Sequence, residues 1–326
     1  MRSKSNNSSG AVKKSSSGFL QKKKVRDTIF IILMLVIPFA HFAVFYLGVN
    51  FSSLSLAFQD QFTEEFTFAN FERFFTSWAL DWEMDIGWKY AFFNTLIQMI
   101  ISNFVNMPLV IFVTFALYKK FYGHNFFRVV FYLPAIVGEV IMLTMQAYVL
   151  DATGPIIEMG KIVGIQWDFN ILQSGLLGYD GSARATFFLT RITISGATIL
   201  LLTGALNRIP KDLFDYAKLD GVGFFREFYY IALPLTWSTV GIMWIMGFAT
   251  GWNVYNDVML LTGGNHNTQN LGFALMSTTL SAVTGDNGDA NFNYPAAIGM
   301  LMTLIVAPLT LFLRWLSEKL VEPVDF

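Results

Sequence analysis

From Thr28 to Leu47 the chain is apolar at almost every position, with no polar face recurring at a helical or strand period. A run of about 20 such residues crosses the hydrocarbon core of a bilayer. A helix that is apolar around its whole circumference belongs in lipid or in a large core. Five further apolar segments follow, at approximately 90–117, 129–150, 185–206, 229–252 and 294–316. Some contain Gly or Pro, which membrane helices tolerate when neighbours satisfy the freed backbone groups. The pattern predicts an all-α integral membrane fold with six transmembrane helices, and no heptad or short-period repeat is present. A secretory signal peptide is the competing reading of the first segment. That segment exceeds a usual signal h-region, and no small-x-small cleavage site follows it.

The polar stretches between these segments set the orientation. Residues 1–26 are Ser- and Lys-rich, too polar to bury a core, and are expected to be unstructured. This tail carries Lys13, Lys14, Lys22, Lys23, Lys24 and Arg26; the second-to-third connection carries Lys119, Lys120 and Arg128; the fourth-to-fifth carries Arg208, Lys211, Lys218 and Arg226. Arg314 and Lys319 close the last segment. By contrast, residues 50–89 hold seven acidic side chains against Arg73 and Lys89, and residues 253–293 hold no Lys or Arg. The positive-inside rule therefore places both termini in the cytoplasm, with six spans. Trp78, Trp82, Trp88 and Trp167 then fall in outer loops and Trp315 at the inner end, where amphipathic rings favour the interface. The expected organisation is a tail at 1–27, a transmembrane domain at 28–320 and a cytoplasmic end at 321–326.

Composition agrees with a membrane protein. Hydrophobic residues make up 54% and charged residues only 14%, against about a quarter charged in soluble domains. The formal net charge of −1 provides no field for nucleic acid. The absence of cysteine excludes disulfides, thiol catalysis and thiolate metal sites. His41, His124 and His266 lie on different segments without metal-ligand spacing, so no metal is expected. Gly263-Gly264 lacks the Lys-Ser/Thr of a phosphate-binding loop. The Lys22–Lys24 run is read as a topology signal; a role in binding anionic membrane lipid is not separately indicated.

The connection from Ile209 to Leu235 is unlike the others. Pro210 starts a helix that Lys211–Leu219 continues, with Leu213, Phe214 and Ala217 on one face. Asp220-Gly221 breaks it: glycine accepts positive φ, and an Asp carboxylate can bond to nearby backbone. A second apolar run, Phe224–Leu233, leads back into the membrane. From the residues alone this element is either a connector lying on headgroups or a helix that docks into a partner's groove.

The same segment resembles the EAA loop of permease subunits of binding-protein-dependent ABC importers, whose pattern is E-A-A-x-x-D-G-A, five residues, F-x-x-I-x-L-P. The corresponding positions are Asp215, Tyr216, Ala217, Asp220, Gly221, Val222, Phe228, Ile231, Leu233 and Pro234, and seven of the ten match with unbroken spacing. Asp215 keeps the charge of Glu on a shorter stem, while Tyr216 and Val222 replace small alanines. Other stretches are similar to sugar-type members: Phe66–Phe75, Phe93-Asn94-Thr95-Leu96, Phe126–Val137 and Leu260–Gly264, the last with Asn265 where Pro is usual. The Leu260–Gly264 stretch resembles the first permease subunit of the maltose/multiple-sugar type.

The resemblance implies a chain that is not itself an enzyme and holds no cofactor. ATP would be bound by two cytoplasmic ATPase subunits that dock on a coupling loop at 208–228, through Asp215, Ala217, Asp220, Gly221 and Phe228. It also implies a second homologous permease subunit, an extracellular solute-binding protein and a sugar substrate. The family's substrate contacts lie on the third and fifth helices. Polar groups within spans are candidate functional sites, and sugars need amide or carboxylate partners and aromatic faces. The candidates are Gln146, Tyr148, Thr250, Trp252, Asn253 and Asn256. Holding helices together is the competing role for each. Glu139 and Arg191 are buried-polar candidates that would form an ion pair if they meet. Three alternatives remain open on the residues: an ABC permease for another solute, an ion-gradient-driven secondary transporter, and a channel or scaffold without energy coupling.

Overall fold

A computed structural model describes residues 16–60, 63–193, 196–283 and 291–320. Residues 1–15 of the expected tail and the expected end at 321–326 lie outside the described residues. The described chain is helical almost throughout, with a single isolated bridge between Gln59 and Phe66.

Among the described residues, five helical stretches are long and apolar enough to cross a membrane: Val25–Ala57, Trp88–Tyr118, Glu139–Val163, Phe224–Gly251 and Asn293–Lys319, of which the third is itself interrupted between Glu139–Leu150 and Pro155–Val163. The first begins earlier than its apolar run, since helix extends from Ser16 through the Lys22–Lys24 run. It continues through a π-helical stretch, Phe42–Gly48, to Ala57. From Ile29 to Phe51 its Ile, Leu and Phe side chains are exposed, as expected of a helix solvated by lipid, while its end at Ala57 is buried.

The third and fourth expected spans are not continuous helices. The third is divided at Gly138, whose φ of +92° and ψ of 152° end His124–Val137 and begin Glu139–Leu150. The fourth is divided into Asp180–Thr190 and Gly196–Leu206, with residues 194–195 outside the described residues. Each piece is shorter than a bilayer requires, so a crossing at either place needs both pieces. A further apolar helix, Leu271–Val283, stands between Phe224–Gly251 and Asn293–Lys319, where only an outer loop was expected.

Among the described residues, four apolar clusters hold the helices together. One gathers Ala91, Met99, Trp252, Leu271 and Ala274; a second Val110, Leu117, Ile199, Leu202 and Val240. A third, at the opposite end, joins Phe115, Leu206, Ile209, Phe214 and Ala232. The fourth packs Phe187 with Leu150, Leu177, Val258 and Leu261. Helices cross closely at small residues: a Cβ on Gly247 would lie 2.6 Å from Asn103 Oδ1, the close approach that small residues allow in membrane bundles.

Candidate functional site

The places where helices break converge on one cavity of about 490 Å³. Gly138 and Glu139 reach it from the break in the third segment, Arg191 and Thr193 from the break in the fourth, and Gly251 and Val254 from the end of the fifth. The second helix contributes through its π-helical stretch Ile101–Asn106, whose wider turns bring Ser102 and Asn106 to the wall one above the other. Interrupted helices at membrane depth are stable where they line such a cavity.

The wall mixes apolar side chains such as Met142 and Leu143 with amides, hydroxyls and charges. That mixture suits a hydroxyl-rich ligand, which needs several oriented donors and acceptors. Asn106 Oδ1 is buried without a hydrogen-bond partner among the described residues. Gln98, by contrast, is held from behind: Asn270 Nδ2 donates to its Oε1 at 3.1 Å.

Arg191 makes the buried ion pair, and its partner is Asp257 rather than Glu139. Asp257 stands in the first turn of the short helix Asn256–Leu261 and is 1% exposed. A carboxylate so deeply buried requires a paired cation, because removing it from water costs several kcal/mol. The Arg191 guanidinium also lies over the Phe187 ring, 5.4 Å from its centroid. Glu139 lines the same cavity, with no hydrogen bond or ion pair of its own among the described residues. It opens the helix that follows Gly138, where exposed N–H groups favour negative charge.

Of the sequence-derived substrate candidates, Gln146 and Thr250 are on the cavity wall. Tyr148 is exposed on the outside of its helix, and Asn253 is exposed beyond the helix end. Asn256 is half-buried and away from the wall. Trp252 turns into the apolar cluster with Met99 and Leu271. Sequence reasoning passed over Gln98, Ser102, Asn106 and Asp257. The first three stand four residues apart in the second apolar segment, a polar stripe on one helical face. Asp257 directly follows Asn256, which was a candidate.

At the other end of the molecule, Pro210 precedes the helix Lys211–Leu219. Phe214 and Ala217 are buried, while Asp215, Tyr216 and Leu219 are exposed. The helix ends in a Schellman turn: the Val222 N–H donates to Ala217 O at 2.9 Å and the Gly221 N–H to Lys218 O at 3.1 Å. Gly221 has φ +69°, the left-handed conformation this turn needs. Backbone alone closes it, since the Asp220 carboxylate, expected to bond locally, makes no hydrogen bond among the described residues. On the exposed face Lys218 Nζ donates to Asp215 Oδ1 at 2.9 Å. That hydrogen bond holds the Asp215 carboxyl below its ordinary range and raises Lys218.

The buried face is tied to three other helices. Phe214 packs with Phe115 of the second, Leu206 and Ile209 at the end of the fourth, and Ala232 at the start of the fifth. Phe228 lies in the same cluster, its ring 5.4 Å from Phe115 and 5.6 Å from Phe112. Lys119 pairs with buried Glu227 and sits 4.4 Å above the Phe214 ring. The short helix is therefore seated on close-packed rings rather than on a loose loop.

No family model matches the chain. It is 24% identical over 205 residues to the multiple sugar-binding transport system permease MsmF of Streptococcus mutans, covering 63% of this chain and 67% of that protein. It is 26% identical over 190 residues to the probable ABC transporter permease YurN of Bacillus subtilis, covering 57% and 61%. The maltose/maltodextrin permease MalF of Salmonella typhimurium is 25% identical over 261 residues, covering 74% of this chain and 47% of that one. The chain thus spans between about half and two thirds of the length of these relatives. Two crystal structures of a bacterial alginate ABC transporter share its fold. One matches with a TM-score of 0.72 at 16% identity, covering 92% of this chain and 98% of that one. The other, in complex with a periplasmic protein bound to alginate pentasaccharide, gives 0.73 at 17%, covering 94% and 99%. In sequence the chain is thus similar to permease subunits of sugar-type ABC importers, and its fold is that of the alginate importer's membrane subunits.

Proposed function

We propose that the chain forms one half of the path by which an ATP-driven importer carries a sugar or oligosaccharide inward by alternating access. The observation that carries this reading is the helix Lys211–Leu219 and its glycine turn. One face is locked into three membrane helices and the other is exposed, the form of an element that receives force from outside the membrane. On this reading Asp215, Tyr216 and Leu219 meet a cytoplasmic ATPase, while Ala217, Gly221 and Phe228 maintain the shape and seat of the helix. A second permease subunit completes the path, and a solute-binding protein delivers the ligand from outside. Both termini are cytoplasmic, and the two interrupted segments cross the membrane as paired half-helices, giving six spans. The first-subunit assignment rests on the Leu260–Gly264 stretch. Gln98, Asn106, Gln146 and Thr250 offer hydrogen-bond partners to the sugar.

Ion-gradient transport is a second reading with an observation in its favour. Interrupted helices beside intramembrane ionisable groups are typical of secondary transporters, and Glu139, Arg191 and Asp257 gather at such breaks. Copurification from the native host separates the two. The importer reading expects a second six-span permease and an ATPase pair with the chain. A transport-competent homo-oligomer without ATPase supports the secondary transporter.

A further inference from the structure

A second cavity, of about 230 Å³, lies apart from the first and has almost entirely apolar walls. Phe74 and Trp78 of the helix Ala69–Met84 form one side. Ile298, Leu301 and Ile305 of the last long helix form the other. Trp88 and Phe92 close it from the second helix, with Trp252 also on its wall.

Two features point to one kind of occupant. The groove follows the last helix from Ile298 to Val306, which at a rise of ~1.5 Å per residue is about 12 Å. That is close to the depth of one leaflet in a hydrocarbon core of ~30 Å. Next to Phe74 stands Arg73, exposed and in no ion pair among the described residues. Its guanidinium carbon lies 4.4 Å above the ring of Tyr294, one helical turn before Ile298 on the same face. A cation therefore waits at one end of an acyl-length groove.

We infer that this groove is a binding site for a membrane phospholipid, with an acyl chain along Ile298–Val306 and its phosphate at Arg73. A hydrocarbon tail fits walls with no other charge or amide, and the phosphate gives Arg73 its counter-ion. The site is independent of what the first cavity transports.

The test exploits the tryptophans of the wall. The chain, purified with its native subunits and reconstituted in nanodiscs, is exposed to phosphatidylglycerol carrying brominated acyl chains, which quench indole fluorescence on contact. Saturation of part of the quenching at a low mole fraction of brominated lipid is expected, and quenching that merely rises in proportion to bulk brominated lipid overturns the site. Trp252→Phe should remove much of the saturable component. Arg73→Gln should weaken it roughly fivefold, the share of one basic residue at an anionic lipid surface, and thermal unfolding confirms that the variant is folded. Because the chain has no cysteine, Leu301→Cys adds an independent measurement. Cross-linking of this residue to a maleimide-bearing phospholipid supports the proposal. Cross-linking instead to a neighbouring permease subunit shows that a protein helix covers the groove, and overturns it.

Discussion

Replacing Gly221 by valine isolates the backbone of the coupling turn. At φ +69° a Cβ meets no atom within 4 Å, so the added β-carbon itself has room. The cost that remains is that of a left-handed residue, about 1–2 kcal/mol for an ordinary side chain. Valine lies at the upper end because its branched Cβ is restricted further. A penalty of about 2 kcal/mol shifts the turn roughly thirty-fold toward conformations that give up the Val222–Ala217 and Gly221–Lys218 hydrogen bonds. Asparagine visits the left-handed region with little strain, so Gly221→Asn serves as the control. The assay measures ATPase subunits retained on purification and substrate-stimulated ATP hydrolysis for wild type, Val and Asn. Gly221→Val is expected to lose both while membrane insertion and ligand binding persist, and Gly221→Asn should stay near wild type. If Val and Asn behave alike, whether both active or both inactive, the backbone argument for this turn fails.

In the cavity, Gln146→Leu removes a hydrogen-bond partner worth on the order of 1 kcal/mol, so half-saturation for transport should rise several-fold with thermal stability kept. Trp252→Ala should do the reverse, lowering stability by about 3–5 kcal/mol with apparent affinity unchanged, and altered affinity at constant stability would return Trp252 to the substrate site. Asp257→Asn leaves Arg191 buried without its counter-charge and should cost about 3–5 kcal/mol; Arg191→Met combined with Asp257→Leu should regain most of it in the same thermal scan. Single cysteines at Gly123 and Lys218 are expected to label only from the cytoplasm and those at Ser77 and Ser182 only from outside, and outside labelling at Lys218 would end the proposed topology.

The elements readable from sequence are those governed by local chemistry. The helix Lys211–Leu219 was visible because Pro210 starts it, Phe214 and Ala217 share one face, and Gly221 can take positive φ. Long apolar runs such as 294–316 were visible from hydropathy alone. The break at Gly138 was not, since a glycine inside an apolar run is equally compatible with an unbroken membrane helix. The helix Leu271–Val283 escaped because its 13 residues, with Ser and Thr among them, fall short of a span. Arg191 could not be matched to Asp257 because pairing between distant segments depends on how helices pack, and Glu139 was an equally reasonable partner. Trp252 was placed at the substrate site because aromatic residues serve both sugar faces and apolar cores. Only the rotation of the helix end decides between them, and hydropathy does not record it.

The central claim is that motion of an ATP-driven partner reaches the cavity through the coupling helix. The most direct measurement is sugar uptake into proteoliposomes containing the copurified complex and its binding protein, with ionophores present to collapse all ion gradients. The account predicts uptake that requires ATP hydrolysis on the side of the coupling helix and is abolished by Gly221→Val. Uptake that follows an imposed ion gradient and is indifferent to ATP would contradict it.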